Sequence, residues 1–173
     1  AAAVASKLLP LMFLPLLLAI IPWKKALQYF VFTGIWLIGL FAPMLSSTLI
    51  QHLGESLNLY FQKFEFNAGI YYIIRWIGYQ VKGWNIIHYA GPVLGMIVFL
   101  AIWILTLFNR VKKMSWFSKH EWPRLAMWAL TIYLIFATIV HPWYITTLVA
   151  LSILTTYRFP LLWSGLITLT YIN

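Results

Sequence analysis

The sequence predicts an all-α protein: a polytopic transmembrane helical bundle that carries one amphipathic helix on its outer face. Three observations lead there. Of 173 residues, 63% are hydrophobic and 9% are charged. A typical soluble domain has about 25% charged residues, so this chain lacks the groups to cover a water-facing surface. Aromatic residues make up 18%, including ten Trp and ten Tyr; these side chains favour the membrane–water boundary because they join an apolar body to a hydrogen-bonding tip. The apolar residues also fall in long runs separated by short basic or aromatic breaks.

Taken in order, residues 8–22 are apolar but interrupted by Pro10, Pro15 and Pro22, which predicts a kinked or partly penetrating helix. Trp23-Lys24-Lys25 follows as an aromatic and basic stop. Residues 26–45 form a clean spanning run, matching the ~20 residues that cross ~30 Å of hydrocarbon. Region 46–85 is the least hydrophobic, holding Glu55 and Glu65 with Lys63, Arg75 and Lys82. Residues 86–108 form a second clean run ending at Asn109-Arg110, followed by a basic loop, 109–124. Three further apolar runs are 125–140, 144–156 and 161–172. The last two amount to roughly 20 Å each by helical rise. Buried neighbours, or the interfacial groups at Trp143-Tyr144 and Tyr157-Arg158, would have to complete those crossings. Residues 1–173 read as a single transmembrane domain. The chain opens inside an apolar stretch without a signal-peptide pattern, so it is expected to be the C-terminal part of a longer multi-spanning protein.

Lys and Arg in short loops set the orientation. Lys24, Lys25, Arg110, Lys112, Lys113, Lys119, Arg124 and Arg158 fall on one side, expected to be cytoplasmic; Lys7, Lys63, Arg75 and Lys82 fall on the other. The expected location is the inner (cytoplasmic) membrane, multi-pass, with residues 46–85 and the His141-Pro142-Trp143-Tyr144 corner on the non-cytoplasmic side. Membrane lipids are thus a partner of the whole surface.

Several chemistries find no support. The chain has no Cys and no Asp, so disulfides, thiolate sites and Cys nucleophiles are excluded. His52, His88, His120 and His141 show no metal-ligand spacing, and neither a metal nor a cofactor is expected. The net charge of +9 is spread between apolar runs rather than clustered, so no nucleic acid is expected as a partner.

The segment Phe66 to Val81 is the most informative. On a helix, Ile70, Ile73, Ile74, Ile77 and Val81 share one face. Asn67, Tyr71 and Arg75 adjoin one another at i, i+4 and i+8, with Tyr72 and Tyr79 beside them. One reading is an interfacial helix whose tyrosines rest at headgroup depth. The other is that Asn67, Tyr71 and Arg75 line a cavity that recognises a phosphate or a sugar hydroxyl, Arg being suited to phosphate by its planar fork. Lys7 lies among apolar residues, where a lysine snorkels or pairs with something negative such as a lipid-linked phosphate. His141 is either a helix-start cap or interfacial contact, or a proton carrier or substrate ligand near neutral pH. Glu65, close before the helix, is favourably placed for the helix dipole.

Four stretches together resemble bacterial polyprenol-phosphate-dependent mannosyltransferases of the multi-spanning GT-C group, in the manner of members from Bacteroidetes-type bacteria. They are Ala5-Ser6-Lys7-Leu8-Leu9-Pro10-Leu11, the stretch from Leu59 to Tyr72, His141-Pro142-Trp143-Tyr144, and Tyr157-Arg158-Phe159-Pro160. The resemblance runs over essentially the whole chain. It implies a GT-C-like fragment of a hexosyltransferase that moves a sugar from a polyprenyl-phosphate donor to a glycan or lipid acceptor on the non-cytoplasmic face. Such enzymes are expected to place an acidic catalytic residue in the first outer loop. No Asp is present here, so the catalytic residue is expected upstream of this chain and is not assigned. The candidate substrate-binding residues are Lys7, Asn67, Tyr71, Arg75, His141 and Tyr144. Two alternatives are a transporter or flippase segment and a non-catalytic membrane assembly subunit. The lack of charged residues in 26–45 and 86–108 counts against the transporter; the absence of Asp leaves the assembly subunit open.

Overall fold

The computed structural model describes residues 2–62, 64–111 and 121–171. It is all-helical, with 82% of the described residues in helices. Among the described residues, extended pairing is confined to an isolated bridge between Phe66 and Ile139. Lys63, Lys112, Lys113, Lys119 and His120, which enter the charge count and the basic loop above, lie outside the described residues.

Among the described residues two stretches are long and apolar enough to cross a membrane. The first is α3 (Trp23–Phe41) with the 3₁₀ turn Ala42–Met44, 22 residues together; the second is α6 (Ile87–Val111), 25 residues. At 1.5 Å per residue they measure about 33 and 38 Å, enough for ~30 Å of hydrocarbon. They sit differently in the fold. α3 buries only Ala26, leaving Phe32, Trp36 and Ile38 well over half exposed. α6 turns Ala90, Gly91, Leu94, Ile102 and Thr106 inward at the spacings of a helical stripe. The buried Thr106 hydroxyl donates to the Ile102 carbonyl at 2.8 Å, so no polar group on that stripe is orphaned.

Upstream of α3, α1 (Ala2–Ser6) leads into the proline-broken run. As Pro10 and Pro15 predict, no continuous helix forms: a 3₁₀ turn spans Leu9–Phe13 and α2 spans only Leu17–Ile20. Leu16 and Ala19 nonetheless bury themselves against Ile102, Leu125 and Ala129. α7 (Glu121–Phe136) is the hub. One part of it packs into that cluster, while Met127, Leu130 and Leu134 form a second cluster with Val140, Ile145, Leu148 and Ile167. α8 (Ile145–Ile153) and α9 (Phe159–Thr168) close the bundle. They have nine and ten residues, shorter than the apolar runs 144–156 and 161–172 that they overlap; the chain turns through Thr155 to Arg158 and restarts with Pro160 in the first turn of α9. Each reaches only about 15 Å by helical rise.

Region 46–85 contains two helices. Of the described side chains of α4 (Ser47–Gln62), all but Leu49 are exposed; the sequence pattern shows there only low hydrophobicity. α5 spans Gly69–Lys82, three residues later than the periodic pattern suggests. The delay has a cause in the backbone. The Phe66 amide donates to the Thr138 carbonyl at 2.9 Å and its carbonyl accepts from the Val140 amide at 2.7 Å, which holds it extended. Asn67 then takes φ +49°, a left-handed conformation that Asn tolerates better than most residues, and the helix begins after it. At the far end Gly83, with φ +76°, ends α5 as its C-cap.

Long-range contacts sort the loops into two ends. Phe66 meets Thr138 and Val140, and Asn67 meets Thr170, so the 64–68 segment, the corner after α7 and the 3₁₀ turn Leu169–Tyr171 that follows α9 share one end. Arg110 reaches Leu18, and Thr155 approaches Met127, at the other.

Candidate functional site

The α5 end gathers most of the polar side chains singled out above. Tyr71 is the centre: its ring is fully buried and its hydroxyl donates to Asn85 Oδ1 at 2.6 Å. Asn85 Oδ1 also accepts from the Ile87 amide at 3.1 Å, which caps the start of α6. Asn85 Nδ2 donates to Glu65 Oε2 at 3.2 Å. The other carboxylate oxygen takes an ion pair from the Arg75 guanidinium, whose central carbon lies 4.6 Å from the Tyr72 ring centre, within cation–π range. Five side chains from the 64–68 segment, α5 and the α5–α6 turn thus form one network.

Its electrostatics follow from that arrangement. Burial pushes the Glu65 carboxyl up, but the nearby Tyr71 hydroxyl, the hydrogen bonds from Arg75 and Asn85 and the Arg75 charge outweigh it. Glu65 is held below the ordinary carboxylate value. The Tyr71 hydroxyl moves up, first through burial and then through the neighbouring Glu65 carboxylate. Arg75 is raised by its hydrogen bond to Glu65. All three changes favour a charged pair beside a neutral phenol. Glu65 is therefore the partner of Arg75 and not a helix-dipole residue: it stands four positions before Gly69, and α5 has no side-chain cap.

A second cluster lies on the other side of the 64–68 segment. The His141 ring stacks on Trp143 at 4.3 Å and 9°, meets Phe66 at 5.0 Å, and takes Tyr144 edge-on at 5.5 Å. Its Nδ1 is buried without a hydrogen-bond partner. His141 precedes the 3₁₀ turn Pro142–Tyr144 but makes no side-chain cap bond, so its role as a helix cap does not hold. Phe66 extends the aromatic run to Tyr171 at 5.9 Å, and Asn67 Nδ2 donates to Thr170 Oγ1 at 2.8 Å.

The structure thus brings Asn67, Tyr71, Arg75, His141 and Tyr144 to one end, in two adjoining clusters joined through Glu65, Phe66 and Asn67. Lys7 stands apart: it is exposed, and among the described residues it makes no ion pair or side-chain hydrogen bond with any of them. Leu8, beside it in sequence, lines an apolar cavity of about 390 Å³ shared by the Leu8–Pro15 segment, Phe30 and one flank of α6. A second cavity, about 190 Å³, lies between α6 and α7 and reaches Thr138 and Ile139. Both touch Gly95 and Val98. Together they follow α6 from Gly91 to Trp103, ending at the backbone that pairs with Phe66.

Asn85 and Thr170 are site residues that the sequence reading did not single out. Asn85 had a usable signal: it is a good N-cap residue type just ahead of the apolar run 86–108. Thr170 had none, because its partner Asn67 lies 103 positions away. Among the described residues no group of three His, Cys, Asp or Glu could hold a metal ion. Comparison with protein-family models, curated proteins and solved structures finds no match to the chain.

Proposed function

We propose that this chain is the donor-binding part of a membrane glycosyltransferase, a mannosyltransferase by resemblance. It takes a sugar from a polyprenyl-phosphate carrier and serves a glycan or lipid acceptor on the non-cytoplasmic face of the inner membrane. The observation that carries this reading is the meeting of the apolar cavities along α6 with the polar and aromatic end at Phe66 and Ile139. A polyprenyl-phosphate sugar needs that combination: an apolar path for its tail and hydrogen-bonding groups for its head. Gly91 and Gly95 line the cavities along α6, while Leu8 and Phe99, both exposed wall residues, open the path toward lipid.

In this reading the sugar-phosphate head meets Asn67, His141 and Tyr144. The unpartnered Nδ1 of His141 offers an acceptor to a sugar hydroxyl or, protonated, a donor to phosphate. Arg75 acts differently from a free phosphate cation. Its charge is answered by Glu65, so it fixes α5 and the 64–68 segment and positions Asn67. Lys7, exposed and beside the tail path, is the cation that snorkels toward phosphate. Transfer breaks the bond between the sugar's anomeric carbon and the phosphate oxygen, which leaves with the electron pair, and forms one to the acceptor oxygen. The acceptor's proton goes to the acidic residue that the resemblance places nearer the N-terminus of such enzymes.

The test is binding of a radiolabelled polyprenyl-phosphate mannose to the full-length protein in lipid nanodiscs. Gly95→Leu adds a side chain at a wall position that both cavities share and is expected to weaken binding by about tenfold or more, with thermal unfolding as the folding control. Val98→Phe, from the other shared wall residue, is expected to act in the same direction. His52→Ala on the exposed helix α4 leaves binding unchanged. Full donor binding by folded Gly95→Leu and Val98→Phe proteins would remove the cavity path from the function.

A further inference from the structure

α5 is inside out relative to a water-soluble helix. At 3.6 residues per turn, Tyr71, Arg75 and Gly78 share one face, and that face is turned to the protein: Tyr71 and Gly78 are buried, and Arg75 is held by Glu65; Lys82, one turn further on, is exposed at the end of the helix. The opposite face carries Ile73, Trp76 and Ile77, which are 62%, 63% and 48% exposed. Val81, on its margin, is 71% exposed. A helix bordered by water shows the reverse pattern, with its apolar stripe toward the core.

The helix is also fixed in place. Gly78 packs so closely that an added Cβ would stand 2.7 Å from the Ile86 side chain, and Asn85 ties both Tyr71 and Glu65 to the start of α6. The outward face is therefore not a swinging element caught open. Past its end, Trp84 and, on the membrane-length helix α6, Tyr89 and Val93 are exposed and apolar as well, with Trp84 meeting Tyr89 at 6.0 Å between ring centres. Tyr72 and Tyr79 fall together on one flank of α5, a natural headgroup contact.

We infer that α5 lies in the plane of the membrane interface as a lipid-docking helix, with Ile73, Trp76 and Ile77 in the acyl boundary and Tyr72 and Tyr79 at headgroup level. The partner of this face is the bilayer itself. The consequence is positional: Glu65, Tyr71, Arg75 and Asn85 sit on the protein side of the same helix, so lipid docking sets the depth of that network. This inference needs a membrane but not the sugar-transfer reading.

The chain has no cysteine, which favours single-cysteine scanning of the full protein in phosphatidylcholine–phosphatidylglycerol liposomes. Ile73→Cys and Ile77→Cys are expected to react with a water-soluble maleimide about tenfold or more slower than Tyr79→Cys. A bimane label at Ile77→Cys is expected to be quenched more by lipids brominated near the glycerol end of the chain than by lipids brominated near its terminal methyl. Two results overturn the inference: equal labelling of positions 73, 77 and 79 in liposomes, or shielding of 73 and 77 that appears only when a second protein is added. Quenching strongest at the terminal methyl would overturn the in-plane placement. Donor binding is read separately, so losing one result leaves the other standing.

Discussion

The two ends of the molecule tie distant segments together by different chemistry. At the α5 end, side chains hold side chains: Tyr71 to Asn85, Asn85 to Glu65, Glu65 to Arg75, and Asn67 to Thr170. At the opposite end, cationic side chains close backbone carbonyls. Arg110 donates to the Leu18 carbonyl at 2.6 Å and Arg158 to the Ser152 carbonyl at 3.3 Å. Both carbonyls belong to the ends of short helices, α2 and α8, where unpaired acceptors and the negative end of the dipole attract a cation. A carbonyl closure asks for a positive group at the right height. A reciprocal network asks for particular partners at particular positions, because removing one member leaves the others unsatisfied. The difference marks the α5 end as the part of the molecule where geometry is specified.

The largest test of that contrast is Tyr71→Ala. It removes a fully buried aromatic and is expected to lose about 3–5 kcal/mol of stability, read by thermal unfolding in nanodiscs, with donor binding lost as well. Tyr71→Phe keeps the ring and removes only the bond to Asn85, so about 1 kcal/mol is expected. Similar losses from both variants would show that the network and not the ring packing dominates.

Next in size is the pair of Glu65 and Arg75. Their side chains are 23% and 36% exposed, so solvent screens the interaction. Glu65→Ala is expected to cost about 1–2 kcal/mol, and the double variant with Arg75→Ala little more than either change alone. Additive losses would show that the two side chains act independently. The pH dependence has a definite sign. The folded-state value of Glu65 lies below its ordinary 4.5, so its contribution is complete above that value. It is lost as pH falls through the lowered one. Acid unfolding profiles between about pH 6 and 3 should separate the wild type from Glu65→Gln, whose profile is flatter. Parallel profiles would remove Glu65 from the acid response.

The long apolar elements were legible in the sequence because their signal is local. The runs 26–45 and 86–108 contain α3 and α6 to within a few residues, and three prolines told where no continuous helix could form. The amphipathic pattern of 66–81 gave α5 and the shared face of Tyr71 and Arg75, but not which way that face looks. The sign was invisible because lipid and protein interior are both apolar, and periodicity alone does not separate them. The start of α5 was misplaced because the bridge from Phe66 to Ile139 spans 73 positions of sequence. Glu65 was assigned to the helix dipole for the same reason: its true partners, Arg75 and Asn85, became neighbours only when that bridge delayed the helix. α4 was missed because its exposed face mixes apolar with polar residues and offers no clean stripe.

The smallest expected effect belongs to the opposite end, and it sharpens the contrast. Arg110→Lys keeps a cation near the Leu18 carbonyl, at the last turn of the four-residue helix α2. If charge at that height is what matters, the loss is a few tenths of a kcal/mol, rising to about 1 kcal/mol for Arg110→Ala. Donor binding stays at the wild-type level in both, since the cavities along α6 end at Trp103, two helical turns before Arg110. Asn67→Gly is the matched small change at the α5 end. It relieves the left-handed backbone strain at φ +49° while removing the bond to Thr170, so its net stability change is also small, within about 1 kcal/mol. Function is where the two must part. Asn67→Gly is expected to weaken donor binding although stability hardly moves, and Arg110→Lys is not. If both variants bind donor equally well, the reciprocal network is a structural clamp, and the specificity of the α5 end lies instead in the aromatic cluster around His141.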